Sequence, residues 1–452
     1  MPPSVPVLRE GEERTSRDTR PLHAVDGSLL AEVNEAPALV TRLAVKAMRR
    51  SAAMPRAARL AVLAEAGRRF AEDTLGGETP EEYVRRQALA SGVPAAVARR
   101  ALARMPADCA RLGEVVERQR PVGTGRTARW ARRGDVLGVV APSNHPGTHG
   151  AWLQAIALGY RVAVRPGARD PFTPLRLARA LLAAGLDSGW VSLLPGTHAA
   201  ADGLVDAADL ALVYGSEDTV ARLRGNDRVL VRGPGRSKVL LDRPFDDADL
   251  DHLVAEIAGD GGVRCTNTTA VLTSGDHRAL AEALAERLSR LPALPVTDER
   301  AVLPVRPHAE AVALRAALDR AAGGAPDLVG RHHPDDPVPL VSGGAAALRP
   351  AVTCVDRPDH PALGTELPFP CVWVAPWERA RGLGPLDDSL ALTLLTEDDS
   401  LVEQALDSPG IRTVLHGRVA EWWRDPHLPH DGYLGQFLRE ARGFAAPELL
   451  TA

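Results

Sequence analysis

The sequence predicts an α/β fold built on parallel sheets covered by helices, and three observations carry that prediction. Short apolar strands alternate with helical segments from Val136 to Leu223, a rhythm that requires parallel strands joined by crossover helices. Turn residues stand just past the strand ends, as in Pro195-Gly196 and Tyr214-Gly215-Ser216, where open sheets of this class bind ligands. Cys265 follows the glycine turn Gly261-Gly262 and precedes the β-branched run Thr268-Thr269-Ala270-Val271, so it marks a passage from helix to strand.

From about Glu35 to Arg120 the spacing is helical, as in Leu60-Ala61-Val62-Leu63-Ala64-Glu65-Ala66, with apolar residues three and four apart. The polar stretch Gly123 to Gly134 reads as a projecting hairpin that leads into the apolar strand Val136 to Ala141. The alternation then runs as helix 151–159, strand 161–164, helix 174–184, strand 191–194, helix 199–207, strand 210–213 and helix 217–223. A second block opens at Val239-Leu240-Leu241, passes an acidic helix over 249–258, reaches Cys265 and its strand, and continues through a helix over 279–291 to about Leu415. Residues 420–452 form a tail with Trp422, Trp423 and Tyr433.

A chain of 452 residues is long enough for two or three domains with a large core. Its 54 basic and 58 acidic residues give a net charge of -4, which argues against a nucleic-acid or anionic-membrane partner and for a small diffusible substrate. The cysteines Cys109, Cys265, Cys354 and Cys371 lie far apart, with no pairing or His–Cys cluster at zinc spacing, so they read as free thiols in a reducing compartment and no metal site is expected. The amino-terminal segment lacks a signal-peptide core and no apolar run reaches membrane-spanning length, so the chain is expected to be cytoplasmic. Lys46 and Lys238 are the only lysines among 54 basic residues; an arginine here can stand where a lysine is ordinary.

Cys265 sits where an enzyme presents a nucleophile. Only the thiolate attacks, and Arg264 or an aimed backbone N–H would favour that form. Around it, four further marks fall in order: Pro142-Ser143-Asn144-His145-Pro146; Arg165-Pro166; Tyr214-Gly215-Ser216 with Gly233-Pro234-Gly235-Arg236-Ser237; and Glu366-Leu367-Pro368-Phe369-Pro370. Together the five marks resemble the aldehyde dehydrogenase superfamily from about residue 20 to 445, nearer to its acylating, acyl-thioester reductase type than to its hydrolytic type.

The resemblance implies an aldehyde dehydrogenase-like fold with a Rossmann-type dinucleotide-binding domain (1–120 and 135–238), an α/β catalytic domain carrying Cys265 (239–418), and an oligomerisation arm and tail (121–134 and 419–452). A homo-oligomer, at least a dimer, is therefore expected. It implies Cys265 as the nucleophile and Asn144 as the amide that stabilises the oxyanion, a donor worth ~3 kcal/mol. His145 and His149 are given no role. Arg165 and Pro166 stand for a lysine–proline pair at the end of a cofactor strand. Ala168 occupies the place where NAD-preferring members carry a ribose-binding glutamate. Loss of that carboxylate, with Arg165 and Arg169 nearby, favours NADP(H) over NAD(H). Gly215 and Ser216 either approach the cofactor or form a plain strand–helix turn, and Glu366 is expected on the nicotinamide ribose.

Arg232 is the telling departure, since aldehyde-oxidising members place a water-activating glutamate in that slot. A missing general base slows hydrolysis ~100- to 10,000-fold. The expectation is therefore an NAD(P)H-dependent reductase that converts an acyl thioester, bound to coenzyme A or a carrier protein, to an aldehyde through acyl-Cys265. In that reading Arg232 contacts the thioester donor. Two rivals stand beside it: NAD(P)+-dependent oxidation of an aldehyde to a carboxylic acid, and a catalytically silent ligand-binding or scaffold relative. Ser143 and Pro368 also depart from the family pattern.

Overall fold

The computed structural model describes residues 3–446 except 122–126, 426 and 430, and leaves the side chain of Trp423 undescribed. Two sheets organise it. The first has seven strands in the order Val229–Arg232, Leu210–Tyr214, Val136–Val140, Arg161–Arg165, Val191–Leu193, Val7–Arg9 and Glu12–Arg14. The five strands from Val229–Arg232 to Val191–Leu193 run parallel, and the two amino-terminal strands join antiparallel at the edge. Because the parallel part of this sheet starts at Val136–Val140 and builds outward on both sides, the carboxyl end of that strand is the topological switch point where crossovers part and leave a crevice. Asn144 follows that strand directly.

The second sheet has six parallel strands in the order Ala351–Cys354, Cys371–Pro376, Thr268–Thr273, Ser237–Leu241, Ser389–Leu395 and Ile411–His416. Every residue of Thr268–Thr273 and Ser389–Leu395 is buried, which explains their unbroken apolar and β-branched character, since strands covered on both faces need no alternation.

The helices begin and end where the sequence supplies the chemistry. Thr79 accepts the Glu82 backbone N–H and Glu82 returns the bond, so Pro80–Ser91 starts on a capping box with proline at its first position, and it stops at Gly92 with φ +71°. Asp246 and Asp249 form a second such box for Asp247–Ala258. That helix leads straight into the turn before Cys265.

Two features go beyond the sequence reading. The first 34 residues carry strands before any helix: Ser4–Val5, Thr19–His23 and Leu29–Asn34 form a three-stranded sheet of their own. The expected hairpin is also different. Its segment 122–126 lies outside the described residues, and Ala128–Arg132 pairs antiparallel with Arg439–Gly443 of the tail, so the two ends of the expected arm bond to each other. The structural reason is register: Trp130 points into the core at 9 % exposure while its neighbours stay outside, and the tail supplies the missing strand.

Candidate active site

Cys265 is placed by a left-handed turn of a kind that glycine makes freely and aspartate tolerates. The helix Asp247–Ala258 breaks at Gly259–Gly262, where Asp260, Gly261 and Gly262 are left-handed with φ of +53°, +81° and +65°. A side chain on Gly262 would come within 2.5 Å of the Pro370 nitrogen, so this turn packs against the Glu366–Pro370 segment. Asn267 then ties the loop: its Oδ1 accepts the Arg264 N–H at 2.8 Å, and its Nδ2 donates to the carbonyls of Glu256 at 2.7 Å and Gly259 at 3.0 Å. Asn267 is a positioning residue that sequence reasoning passed over, because asparagine in a loop ordinarily makes only a local turn.

The switch-point loop of the first sheet reaches the same place. Asn144 donates from Nδ2 to the Val263 carbonyl at 2.8 Å, two residues before Cys265, and its buried Oδ1 has no hydrogen-bond partner among the described residues. One N–H of the amide is thus used to hold it beside the cysteine and the other is left to donate. Ser143, where an aromatic residue is usual, accepts the Arg169 N–H at 3.0 Å, and the Gly167 α-carbon packs on Ser143 and on the Pro142 carbonyl with no room for a side chain. That contact locks the Asn144 loop to the Arg165-Pro166 loop and explains the departure.

Both histidines are engaged away from the thiol. His145 accepts the Gly147 N–H on Nδ1 at 3.0 Å, so its proton sits on Nε2, 3.3 Å from Asp260. Burial works to raise the Asp260 carboxyl, but the His145 hydrogen bond, with the Arg264 and Arg100 charges, outweighs it and holds it well below the usual carboxylate range. His149 is buried, accepts the Trp152 indole N–H at 2.9 Å, and burial pushes it down to about 3.

Arg232 lies at the carboxyl end of an edge strand, in register with Tyr214. Its guanidinium is 13 % exposed and is taken by Asp431 of the tail, which offers both a carboxylate oxygen and its backbone carbonyl. Glu366 is a carboxylate brought to the same neighbourhood: its Oε2 accepts the Gly235 N–H at 2.7 Å and the Arg236 N–H at 2.8 Å. Gly235 in turn abuts Cys265, and Ser237 donates its hydroxyl to the Cys265 carbonyl at 3.1 Å.

The electrostatics differ from the expected activated thiolate. Burial pushes the Cys265 thiol up to about 11; the Glu366 charge pushes the same way, while Arg232, Arg264 and the residue's own backbone N–H oppose them. Burial outweighs the arginines, so the resting group is a thiol. Burial likewise raises the Glu366 carboxyl, against the two backbone N–H groups and the Arg236 charge.

The cofactor-side residues gather at the carboxyl ends of the first sheet. Arg165 donates from Nε to the Gly196 carbonyl at 3.1 Å, Pro166 is buried and Ala168 is exposed. Arg169 does not join Arg165, because Glu310 claims its guanidinium. Arg20 stands there in its place, 3.5 Å from the Ala168 carbonyl and 3.3 Å from Glu35, and its charge helps burial lower the Arg165 pKa. Arg20 comes from the amino-terminal sheet, which helix-based reading of the flank did not reveal. Gly215 has no room for a side chain against Thr219, and Ser216 opens Glu217–Leu223 without its hydroxyl capping the helix. Lys238, notable in sequence for its rarity, is structural: buried, it donates to the Asp387 carbonyl at 2.7 Å and the Ser389 hydroxyl at 2.9 Å.

The chain is similar to known proteins in sequence and in fold. The model of the aldehyde dehydrogenase family matches residues 13–380. Malonate-semialdehyde dehydrogenase 2 of Geobacillus thermodenitrificans is 31% identical over 172 residues, a stretch that spans 34% of this chain and 34% of that protein. The chain thus matches about a third of the length of that curated relative. The NAD+ complex of an aldehyde dehydrogenase from Bacillus cereus has a TM-score of 0.81 at 18% identity, covering 98% of this chain and 96% of that one. A gamma-glutamyl-gamma-aminobutyraldehyde dehydrogenase from Burkholderia cenocepacia has a TM-score of 0.82 at 19% identity, covering 97% and 96%.

Proposed function

The chain belongs to the aldehyde dehydrogenase family, and from that premise we propose that it oxidises a small-molecule aldehyde to a carboxylic acid, with NAD(P)+ as the electron acceptor. The expectation of acyl-thioester reduction is corrected, since the relatives it matches in sequence and in structure are named as dehydrogenases of semialdehydes and aldehydes. The physical reason lies at Arg232. That slot lacks a glutamate, yet Glu366 bears on the Cys265 thiol from another segment, and Arg232 is occupied by Asp431 rather than open to a thioester donor.

The observation that carries the reading is the Asn144–Val263 bond of 2.8 Å. It holds a carboxamide with one unused N–H against the loop that presents Cys265, the arrangement needed to stabilise the oxyanion when sulfur adds to a carbonyl. Addition of Cys265 to the aldehyde makes a hemithioacetal; a bound nicotinamide would supply the hydride acceptor that oxidises it to acyl-Cys265, from which water releases the acid. A scaffold has no use for such a pair.

For the cofactor, the finer reading is NADP(H) over NAD(H). Arg20 stands 3.5 Å from the carbonyl of exposed Ala168, with Glu35 as its paired carboxylate, and its charge reaches Arg165; that excess of positive charge suits a 2′-phosphate. Gly215, Ser216 and Glu366 are the other expected contacts, on the dinucleotide-binding side of 1–120 and 135–238 and the catalytic side of 239–418. The ribbon of Ala128–Arg132 with Arg439–Gly443, a two-stranded edge with exposed residues, fits an oligomerisation arm. Among the described residues no helix is long and apolar enough to cross a membrane.

The test is a panel of aliphatic, aromatic and carboxylated aldehydes with NAD+ or NADP+, read as absorbance of the reduced nicotinamide and as acid formed. Stoichiometric acid and reduced cofactor support the reading. Reduced cofactor from no aldehyde in the panel overturns it.

A further inference from the structure

We propose that Glu366 is the general base that activates the water which hydrolyses acyl-Cys265, doing from a remote segment what no residue at position 232 can do. The inference rests on the aldehyde-oxidising reading and adds the residue that completes its last step.

Glu366 is tied to the nucleophile loop through its neighbours. Its Oε2 accepts the Gly235 and Arg236 N–H groups at 2.7 and 2.8 Å, which leaves Oε1 as the oxygen these amides do not engage. The Gly235 α-carbon packs so tightly on the Cys265 carbonyl that no side chain fits between them. On the other side, the chain just after Glu366 packs through Phe369 and Pro370 against Gly262. One carboxylate is therefore fixed from two directions next to the residue that carries the acyl group.

Elimination points the same way. The charged groups bearing on the Cys265 thiol are Glu366, Arg232 and Arg264, and only the first is a base. His145 has both ring nitrogens committed, to Gly147 and Asp260. His149 is buried against Trp152. Tyr214 has its hydroxyl pushed up to about 12 by burial, so it cannot accept a proton near neutrality. Burial of Glu366 raises its carboxyl toward the range where a base works well, with Arg236 the cation facing it.

The step balances without any redox partner. Water oxygen bonds to the thioester carbon as Glu366 takes its proton; the carbon–sulfur bond then breaks, the acid departs, and the sulfur recovers a proton from Glu366. The oxidant has already left the sequence at this stage, so the step can be isolated.

4-Nitrophenyl acetate acetylates a nucleophilic cysteine with no cofactor present, which separates this role from any contact of Glu366 with a ribose. Intact mass and nitrophenolate release follow acetyl-Cys265 forming and clearing. In the full-length wild type the acetyl group clears at a rate that falls as pH drops through the Glu366 ionisation. Glu366→Gln is expected to acetylate but to clear ~100-fold more slowly, without that pH dependence. Glutamine keeps an acceptor for the Gly235 and Arg236 amides, so it preserves the loop, and a normal melting temperature verifies this. Glu366→Asp recovers part of the rate if a carboxylate is what matters, whereas glutamine is the better substitute if Glu366 only props the loop. Clearance at the wild-type rate in Glu366→Gln, or loss of clearance in His145→Asn instead, overturns the proposal. Absence of acetyl on wild-type Cys265 overturns the nucleophile reading itself and this inference with it.

Discussion

Gly235 lies against Cys265 so closely that a methyl group on its α-carbon would stand 1.8 Å from the Cys265 carbonyl oxygen. The obstacle is backbone, which cannot swing aside as a side-chain tip can. Gly235→Ala is therefore expected to shift the nucleophile by on the order of 1 Å and to lower kcat ~100-fold. Steady-state rates together with a circular dichroism spectrum check this; a folded variant with wild-type kcat would show that Cys265 tolerates the shift.

Asn144 is expected to act on the transition state. Asn144→Ala removes the donor aimed from the switch-point loop and should cost ~100- to 1,000-fold in kcat with KM changed little. A rise in KM at constant kcat, measured with the same aldehyde, would assign the residue to substrate binding instead.

Arg232 and Asp431 form a pair separated by 199 positions, and each side chain is mostly buried. Removing one partner strands the other, so Arg232→Met and Asp431→Asn should each destabilise by about 1–3 kcal/mol, with the double variant losing less than the sum. Denaturant unfolding of the three variants measures the coupling directly.

The thiol of Cys265 should alkylate slowly at neutral pH, its rate with iodoacetamide climbing toward the value near 11 to which burial pushes it. The signs of two variants follow from the neighbouring charges. Glu366 raises the thiol pKa, so Glu366→Gln alkylates faster than wild type at pH 8; Arg232 lowers it, so Arg232→Met alkylates more slowly. Reversed signs would show that these charges do not reach the sulfur.

If the cofactor is NADP(H), Arg20 is the residue expected to tell the two dinucleotides apart. Arg20→Ala is expected to weaken NADP+ binding ~10-fold and NAD+ binding by less than about 2-fold, since one charge-assisted bond to a phosphate is worth ~1.5–3 kcal/mol in favourable cases. Equilibrium titration of both cofactors checks it, and equal losses would remove the 2′-phosphate from its surroundings.

Much of this architecture is legible in the chain because its information is local. The alternation from Val136 to Leu223 reports a parallel sheet through spacing alone, and the helix Glu217–Leu223 falls where the pattern places it. Cys265 and Asn144 are visible because their turns have their own chemistry. What stays hidden is pairing across distance. Thr19–His23 carries a proline and only one buried residue, so it has no strand signature until Leu29–Asn34 lies beside it. The partners of Arg232, Ser143 and Glu366 come from other segments, and no local pattern announces them. The missing glutamate at position 232 pointed to acyl-thioester reduction, and the relatives, named as semialdehyde and aldehyde dehydrogenases, correct that expectation.

The central claim, oxidation of an aldehyde through acyl-Cys265, is tested most directly by intact-protein mass after rapid acid quench of enzyme, aldehyde and NAD(P)+. The expected adduct adds the mass of the aldehyde less two hydrogens, maps to Cys265, requires the oxidised cofactor and disappears in Cys265→Ala together with formation of reduced nicotinamide. Undiminished reduced nicotinamide from Cys265→Ala, with no adduct on the wild type, would contradict the account.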